Sequence, residues 1–525
     1  MKRTRRSFVP ALAAAGLFLA ACTPPPEPPK PPPPPAPTVV ASAPPAPAPE
    51  REGPPESGPA RELTLPAPRW DELANGLKVA TIVSPALPIV QIRVVVLGGS
   101  ALDGDRPGLA AITGDLLKDG GAGGMSSREL VTRIEGLGAT LGIWTDFDRT
   151  TLSIAVTKDK LAEALELVST VAKKPTMSPT ELGKLVKRRV DDAADRARTD
   201  GYWGASMMLY RSLYRSAAGQ HPYSVYDATA EDLRKITVND CRALHRKSFV
   251  PKNMFVVVAG DVDHDEVKTT VEKALGDMSG GEPPAPAFPA IAAPSGLTIT
   301  LVDRPRSTQS QVLAGVLGPE RTSAKWAAFA TANHVLGGGG TGRLFNEVRE
   351  KASLAYTANS SLVELAHGPS VLAAYAGTQS SKTGLAVKAL LDQIERLGTT
   401  EPEAAEVALA TRFLSDVTAI RLETVGALAS ELAKNRTLGL PDDAPAIFRK
   451  QVREVSSAAA ATAASEHVRA ARVALVVTGD AKIVGPMLSH FGDVKIVDPT
   501  KSFVERETLA KNPEAPLELP EEAGK

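Results

Sequence analysis

Cysteine is nearly absent: the chain of 525 residues has only Cys22 and Cys241. A disulfide-stapled scaffold is therefore excluded. Histidine is sparse too. The seven, at 221, 245, 264, 334, 367, 467 and 490, include no two within five positions of each other. A helical zinc site needs two imidazoles three or four residues apart, so that both leave one helix face. No such pair exists, nor any Cys-x-x-Cys or Cys–His spacing. Net charge is also missing, with 60 basic against 60 acidic side chains. That balance excludes the broad basic footprint of a nucleic-acid binder. No G-x-S-x-G elbow occurs, which removes the commonest serine-hydrolase signature. The glycine run Gly337–Gly340 is not followed by Gly-Lys-Ser/Thr, so it is not a phosphate loop.

What is present begins with a secretion signal. Lys2, Arg3, Arg5 and Arg6 form a basic start, and Phe8 to Ala21 an apolar stretch too short to span a bilayer comfortably. It ends in Leu19-Ala20-Ala21-Cys22, which looks like a bacterial lipobox. Cys22 would then carry lipid, and with Thr23 rather than aspartate next to it, the expected address is the outer membrane, facing the periplasm. Residues 23–60 hold 18 of the 44 prolines. Such runs favour polyproline II, and 38 residues at about 3.1 Å each would reach about 120 Å as a tether. Cys241 falls in a helix expected over 238–246 and reads as a buried structural thiol. A secreted chain without staples must be held by a core, and 43% apolar composition permits one.

From Glu62 the sequence is duplicated. Asn75-Gly76-Leu77-Lys78-Val79 opens one strand pair and Ser295-Gly296-Leu297-Thr298-Ile299 another, 220 residues later. An apolar run closing in Gly260-Asp261 returns as one closing in Gly479-Asp480, 219 residues later. A near-constant offset over this length means two homologous domains, and two copies are too few for a solenoid. Strands such as Ile89–Leu97, Thr151–Val156 and Val371–Tyr375 alternate with amphipathic helices. The helices are expected at 127–136, 161–173, 179–198, 385–397 and 403–414. This predicts an α+β fold: two homologous domains, each with helices on a largely antiparallel sheet. The expected boundaries are signal 1–22, tether 23–61, first domain 62–278, linker 279–294, second domain 295–498 and a charged tail 499–525 that adds little to the core.

One segment of the second half is distinctive: Gly337-Gly338-Gly339-Gly340-Thr341-Gly342-Arg343-Leu344-Phe345-Asn346-Glu347-Val348-Arg349-Glu350-Lys351-Ala352-Ser353-Leu354-Ala355-Tyr356. It resembles the G-G-x-x-S-R-L-F-x-x-x-R-E-K-x-x-L-A-Y segment of the insulinase-like (pitrilysin) zinc peptidases. Gln220-His221-Pro222-Tyr223 and Arg246–Pro251, with Lys252-Asn253-Met254, are similar to further segments of that family. The likeness covers roughly residues 66–495. His221 reads as a structural turn residue with no evident partner.

The resemblance breaks where the family carries its metal. There a helix reads G-x-A-H-x-x-E-H-x-L, whereas this chain has Gly108 to Leu117 with Ala111, Gly114 and Asp115 at the three motif positions. The family's third ligand, a glutamate, corresponds to Asp192. Asp115 and Asp192 are the remaining acids that could hold a hard cation weakly. The resemblance implies a half-clam, with no catalytic or metal-binding residue in this chain, and no cofactor of its own. It implies instead that Arg349 and Tyr356 bind substrate, and that a separate homologous peptidase subunit supplies zinc. Peptides would be enclosed between the two chains, and the membrane touched only through the lipid. A scaffold or peptide-binding lipoprotein of the envelope, without proteolytic activity, is the alternative.

Overall fold

The computed structural model describes residues 62–292 and 296–520. The signal peptide, the lipidation candidate Cys22 and the proline-rich tether lie outside the described residues. Thirteen strands are described: β1 Arg69–Glu72, β2 Lys78–Val83, β3 Ile89–Leu97, β4 Gly142–Thr145, β5 Arg149–Thr157, β6 Met254–Gly260, β7 Thr298–Asp303, β8 Gln309–Glu320, β9 Ala355–Val363, β10 Pro369–Gln379, β11 Ala474–Gly479, β12 Val494–Asp498 and β13 Val504–Leu509. They form two sheets, in the orders β1-β2-β6-β3-β5-β4 and β13-β12-β7-β11-β8-β10-β9. The repeat seen in the sequence is thus a repeat of sheet order. In both halves a parallel pair (β2 with β6, β7 with β11) is embedded among antiparallel neighbours. A second parallel pair, β12 with β7, extends the second sheet.

Every residue of β6 and β11 is buried. A strand covered on both faces reads as a continuous apolar run rather than an alternation. That is why Val256-Val257-Val258-Ala259 and Leu475-Val476-Val477 show no period of two. One face of each sheet packs on that half's own helices. The other face is covered by a helix from the opposite half. Helix Gly201–Leu213 lays Ala205, Leu209 and Leu213 against Val302, Leu313 and Val476 of the second sheet. Helix Val425–Thr437 lays Ala429, Leu432 and Ala433 against Ala80, Val95 and Val257 of the first. The exchange is reinforced by Thr478, whose hydroxyl donates to the Gly201 carbonyl at 2.7 Å. Each half therefore supplies part of the other's core.

A second lock ties the halves by polar groups. Asp148, in the turn before β5, accepts the Tyr223 phenol and the Ala366 N–H, the latter at 2.9 Å. The Tyr214 phenol donates to the Pro369 carbonyl at 2.6 Å. His221 is less isolated than its turn setting suggests. It is buried, its Nδ1 accepts the Tyr223 N–H at 3.1 Å, and its ring stacks on Tyr214. Burial pushes its imidazole below the usual range. Cys241 is buried as a free thiol.

Helix starts follow the cap chemistry of the sequence. Ser126 and Glu129 form a reciprocal capping box before Ser127–Gly136, and Ser178 with Pro179 opens Pro179–Thr199. The helix expected to stop at Leu414 continues to Arg421, because no glycine or proline interrupts it. The tail corrects the expectation that it adds little to the core. β13 pairs with β12, Phe503 and Ala515 are buried, and the Leu517 backbone bonds the start of the helix Thr383–Thr399. Among the described residues, no helix is long and apolar enough to cross a membrane.

Candidate functional site

The helix Leu109–Asp119 holds the broken motif. Its first turn is capped by Asp103, which accepts the Gly108 and Ala110 N–H groups, both at 2.7 Å. Burial drives the Asp103 carboxyl up to about 7, against the opposing pull of those two donors. Gly108 sits at φ +86°, in the left-handed region that favours glycine. The helix lines a cleft of about 470 Å³ through Ala111, Gly114 and Asp115.

Asp115 is already engaged. Arg189, from the helix Pro179–Thr199, donates to one Asp115 oxygen through both Nε, at 2.9 Å, and a terminal nitrogen. Asp192, the other acid considered for a cation, is exposed on that same helix. The pairing of Asp115 with Asp192 is therefore replaced by an ion pair with a residue three positions earlier. A carboxylate held by a guanidinium, a methyl group and a bare glycine do not fit a zinc ion, which needs several free donors around one point. The described residues contain no cluster of three or more His, Cys, Asp or Glu able to hold a metal. Gly114 adds a steric element, since a Cβ there would sit 3.2 Å from Thr145 Oγ1 on the neighbouring strand. Arg189 was not singled out in the sequence. Its only signal was its place one helical turn before Asp192.

The second cluster lies on the other half. Arg343 immediately precedes the helix Leu344–Lys351 and is buried, with Nε and Nη2 gripping Glu406 at 2.7 and 2.6 Å. That pairing holds the Glu406 carboxyl below its ordinary range. Gly337 and Gly342 before it pack close: a Cβ on Gly342 would lie 2.6 Å from Gly337 Cα. The first arginine of the segment is thus a structural anchor. Eight residues of π-helix follow, a rare geometry associated with functional sites. From it Arg349 extends over the rings of Phe345 and Tyr356, at 4.8 and 5.5 Å. Tyr356 is the second residue of β9 and is 84% exposed. Fold and helix thus bring together the two residues that the sequence paired.

Arg349 and Tyr356 line a groove of about 630 Å³ with Gln309, Tyr375 and Lys382. A guanidinium, an ammonium and the Tyr356 phenol face it as donors, the Tyr375 phenol donates instead to Gln311, and Glu350, 3.4 Å from Arg349, is the carboxylate of its lining. Such a surface suits carbonyl or carboxylate oxygens. It shares no lining residue with the cleft at Asp115.

These observations define a duplicated α+β scaffold of peptidase type, with a donor groove in one half and an ion pair at the metal position of the other. Comparison with known proteins agrees. Residues 78–218 match the family described as insulinase (peptidase family M16), and residues 235–414 match the peptidase M16 inactive domain. An uncharacterized zinc protease of Streptomyces coelicolor is 30% identical over 213 residues, 39% of this chain and 46% of that protein. One from Mycobacterium tuberculosis is 26% identical over 392 residues, covering 73% of this chain and 86% of the relative. Among solved structures, a peptidase M16 inactive domain from Pseudomonas fluorescens superposes with a TM-score of 0.72 at 24% identity, over 79% of this chain and 98% of that one. A protease from Helicobacter pylori gives the same TM-score at 21% identity, covering 79% and 100%. These structural likenesses speak for the fold. The chain belongs to the insulinase-like (M16) family, without that family's zinc motif.

Proposed function

We propose that this chain is a non-catalytic subunit of an insulinase-like metallopeptidase. Its Arg349 and Tyr356 bind peptide substrate, and a separate zinc-bearing homologous chain performs the hydrolysis. The observation that carries this reading is the contrast between the two halves. At the metal position Asp115 is consumed by Arg189, whereas Arg349 and Tyr356 are ordered against each other and face solvent. A guanidinium braced on aromatic faces is preorganised to meet a carbonyl or a developing oxyanion, a role worth a few kcal/mol in peptidases. The partner supplies the zinc and its activated water. Cys22 anchors the chain by lipid in the envelope, at the outer membrane facing the periplasm.

The test is reconstitution. This chain is purified alone and with a co-purifying homologue, then zinc content and cleavage of a quenched peptide are measured. Activity is expected only in the pair, and Arg349→Ala with Tyr356→Phe should abolish it without lowering Tm. Activity and one zinc per chain in the isolated protein would overturn the proposal. A pair indifferent to both substitutions would favour an envelope scaffold or peptide-binding lipoprotein. Mass spectrometry of the mature N-terminus tests the anchor.

A further inference from the structure

The donor groove at Arg349 and Tyr356 continues past Tyr375. Its lining residues Gln309 and Gln311 also line a neighbouring hollow of about 550 Å³, whose walls include Arg304, Arg306 and Tyr202. Tyr202 comes from the first half, on the helix Gly201–Leu213, and packs edge-on to Tyr375 with ring centroids 5.5 Å apart. The two spaces thus form one track. It crosses one end of three adjacent strands: the end of β10, with the starts of β8 and β9 on either side. Neighbouring strands lie about 4.8 Å apart, so the track from β9 to β8 is about 10 Å long, enough for about three residues of extended peptide.

This track carries more cations than the fold uses. Arg304, Arg306, Arg349 and Lys382 line it, against the carboxylates Asp200 and Glu350. Glu350 lies 3.4 Å from Arg349, and Asp200 accepts the Trp203 N–H at 2.9 Å. Arg304 donates to the Arg198 and Thr199 carbonyls, at 3.1 and 2.9 Å. Among the described residues, no salt bridge involves Arg306 or Lys382, in a chain whose charges balance overall.

Hydrogen bonds fix the turns that bear these two cations. The Ser380 N–H and hydroxyl donate to the Thr308 and Ser307 carbonyls, at 3.0 and 2.8 Å. The turn before Lys382 is thereby tied to the turn after Arg306. The Arg306 N–H donates to Asp480 at 2.6 Å, and Arg306 sits at φ +65°, in the left-handed region. Ser353, another lining residue, is at φ +51°. Of the five non-glycine residues with positive φ among the described residues, these two line the one track. Such conformations cost free energy, persist where the surroundings over-determine them, and cluster at ligand sites.

We propose that this track selects peptides that carry a carboxylate, with Arg306 and Lys382 as its counter-charges; the proposal rests on the reading of Arg349 and Tyr356 as peptide-binding residues. An acidic side chain and a free C-terminus both supply that group. The experiment measures binding of fluorescent peptides to the full chain by anisotropy, at low and at physiological salt. The probes share one Ser-Ala sequence: an amidated peptide with a central glutamate, its amidated glutamine counterpart, and the glutamine peptide with a free C-terminal acid. The glutamate peptide, the free-acid peptide or both should bind about tenfold more tightly than the amidated glutamine peptide, and salt should erode that gain. The arm that shows the gain identifies the source of the carboxylate. Arg306→Gln with Lys382→Gln should abolish the gain while leaving Tm and the affinity for the amidated glutamine peptide unchanged. Tyr356→Ala should weaken all three peptides. Equal affinity for the three, still lost in Tyr356→Ala, overturns the charge selection and leaves the proposed function standing. Absence of binding by every peptide overturns both. A gain that survives Arg306→Gln with Lys382→Gln puts the carboxylate elsewhere and also overturns the proposal.

Discussion

If Arg189 is what closes the metal position, restoring ligands alone should not restore tight metal binding. The perturbation is Ala111→His, Asp115→His and Asp192→Glu, made with and without Arg189→Ala. In the native chain the Arg189 guanidinium approaches Asp115 to 2.9 Å through Nε. A zinc ion bound to an imidazole at 115, with a Zn–N bond of about 2.0–2.1 Å, would lie roughly 4–5 Å from that positive charge. Repulsion between a divalent and a unit charge there is about 2 kcal/mol at an effective dielectric constant of ~80, and about 7 kcal/mol at ~20. Arg189 is 38% exposed, so solvent screening puts the value toward the low end. Even 2 kcal/mol is about thirtyfold in affinity. Zinc titration by calorimetry should thus give a Kd about thirtyfold or more lower in the variant that also carries Arg189→Ala, with Tm measured to confirm folding. Affinities within threefold of each other would refute the reasoning. They would mean that the guanidinium swings away at little cost.

Three further outcomes follow from particular contacts. The folded-state carboxyl of Asp103 is raised from 3.8 to about 7. Its stabilising contribution is therefore complete below pH ~4 and is lost as pH rises through about 7, by up to about 4 kcal/mol for a three-unit shift. Urea melts at pH 5 and pH 8 should show the part of that loss that falls above pH 5, about 3 kcal/mol, and Asp103→Asn should shrink it; an unchanged difference would show that Asp103 is not responsible. Arg343→Ala breaks a buried, doubly bonded pair with Glu406 and should cost about 3–5 kcal/mol, read as a lower urea midpoint. A loss below about 1 kcal/mol would contradict the anchoring role. Phe503→Ala, in the tail, should cost about 3 kcal/mol or more because Phe503 packs by Trp203 in the shared core; a tail that contributed nothing would show no change.

Much of the architecture was legible before any coordinates. Helix caps such as Ser126 with Glu129 act within four residues, so local chemistry sets them. The duplication was visible because equivalent turns, at Gly76 and Gly296, keep their spacing. Arg349 and Tyr356 were legible because seven residues place them on adjoining helix and strand. Arg189 was not, since its partner is 74 residues away and sequence carries no register between two packed helices. The exchanged helices were hidden for the same reason. Helix Gly201–Leu213 looks apolar on nearly every side, and periodicity cannot say which sheet will cover it. Val504–Leu509 looks like solvent-facing tail because it is almost wholly exposed, and only its backbone pairing with β12 makes it a strand.

By itself the sequence determined that there are two like halves of helices on sheets. It determined also that the zinc ligands of the motif are gone and that an arginine–tyrosine pair survives. Each of these depends on residue types at short, countable spacings. The tertiary structure alone decided what became of the vacated metal position, namely an ion pair across two helices. It also decided that the halves complete each other's cores. Those outcomes depend on which distant surfaces meet. Burial and charge pairing select that only when the whole chain is packed.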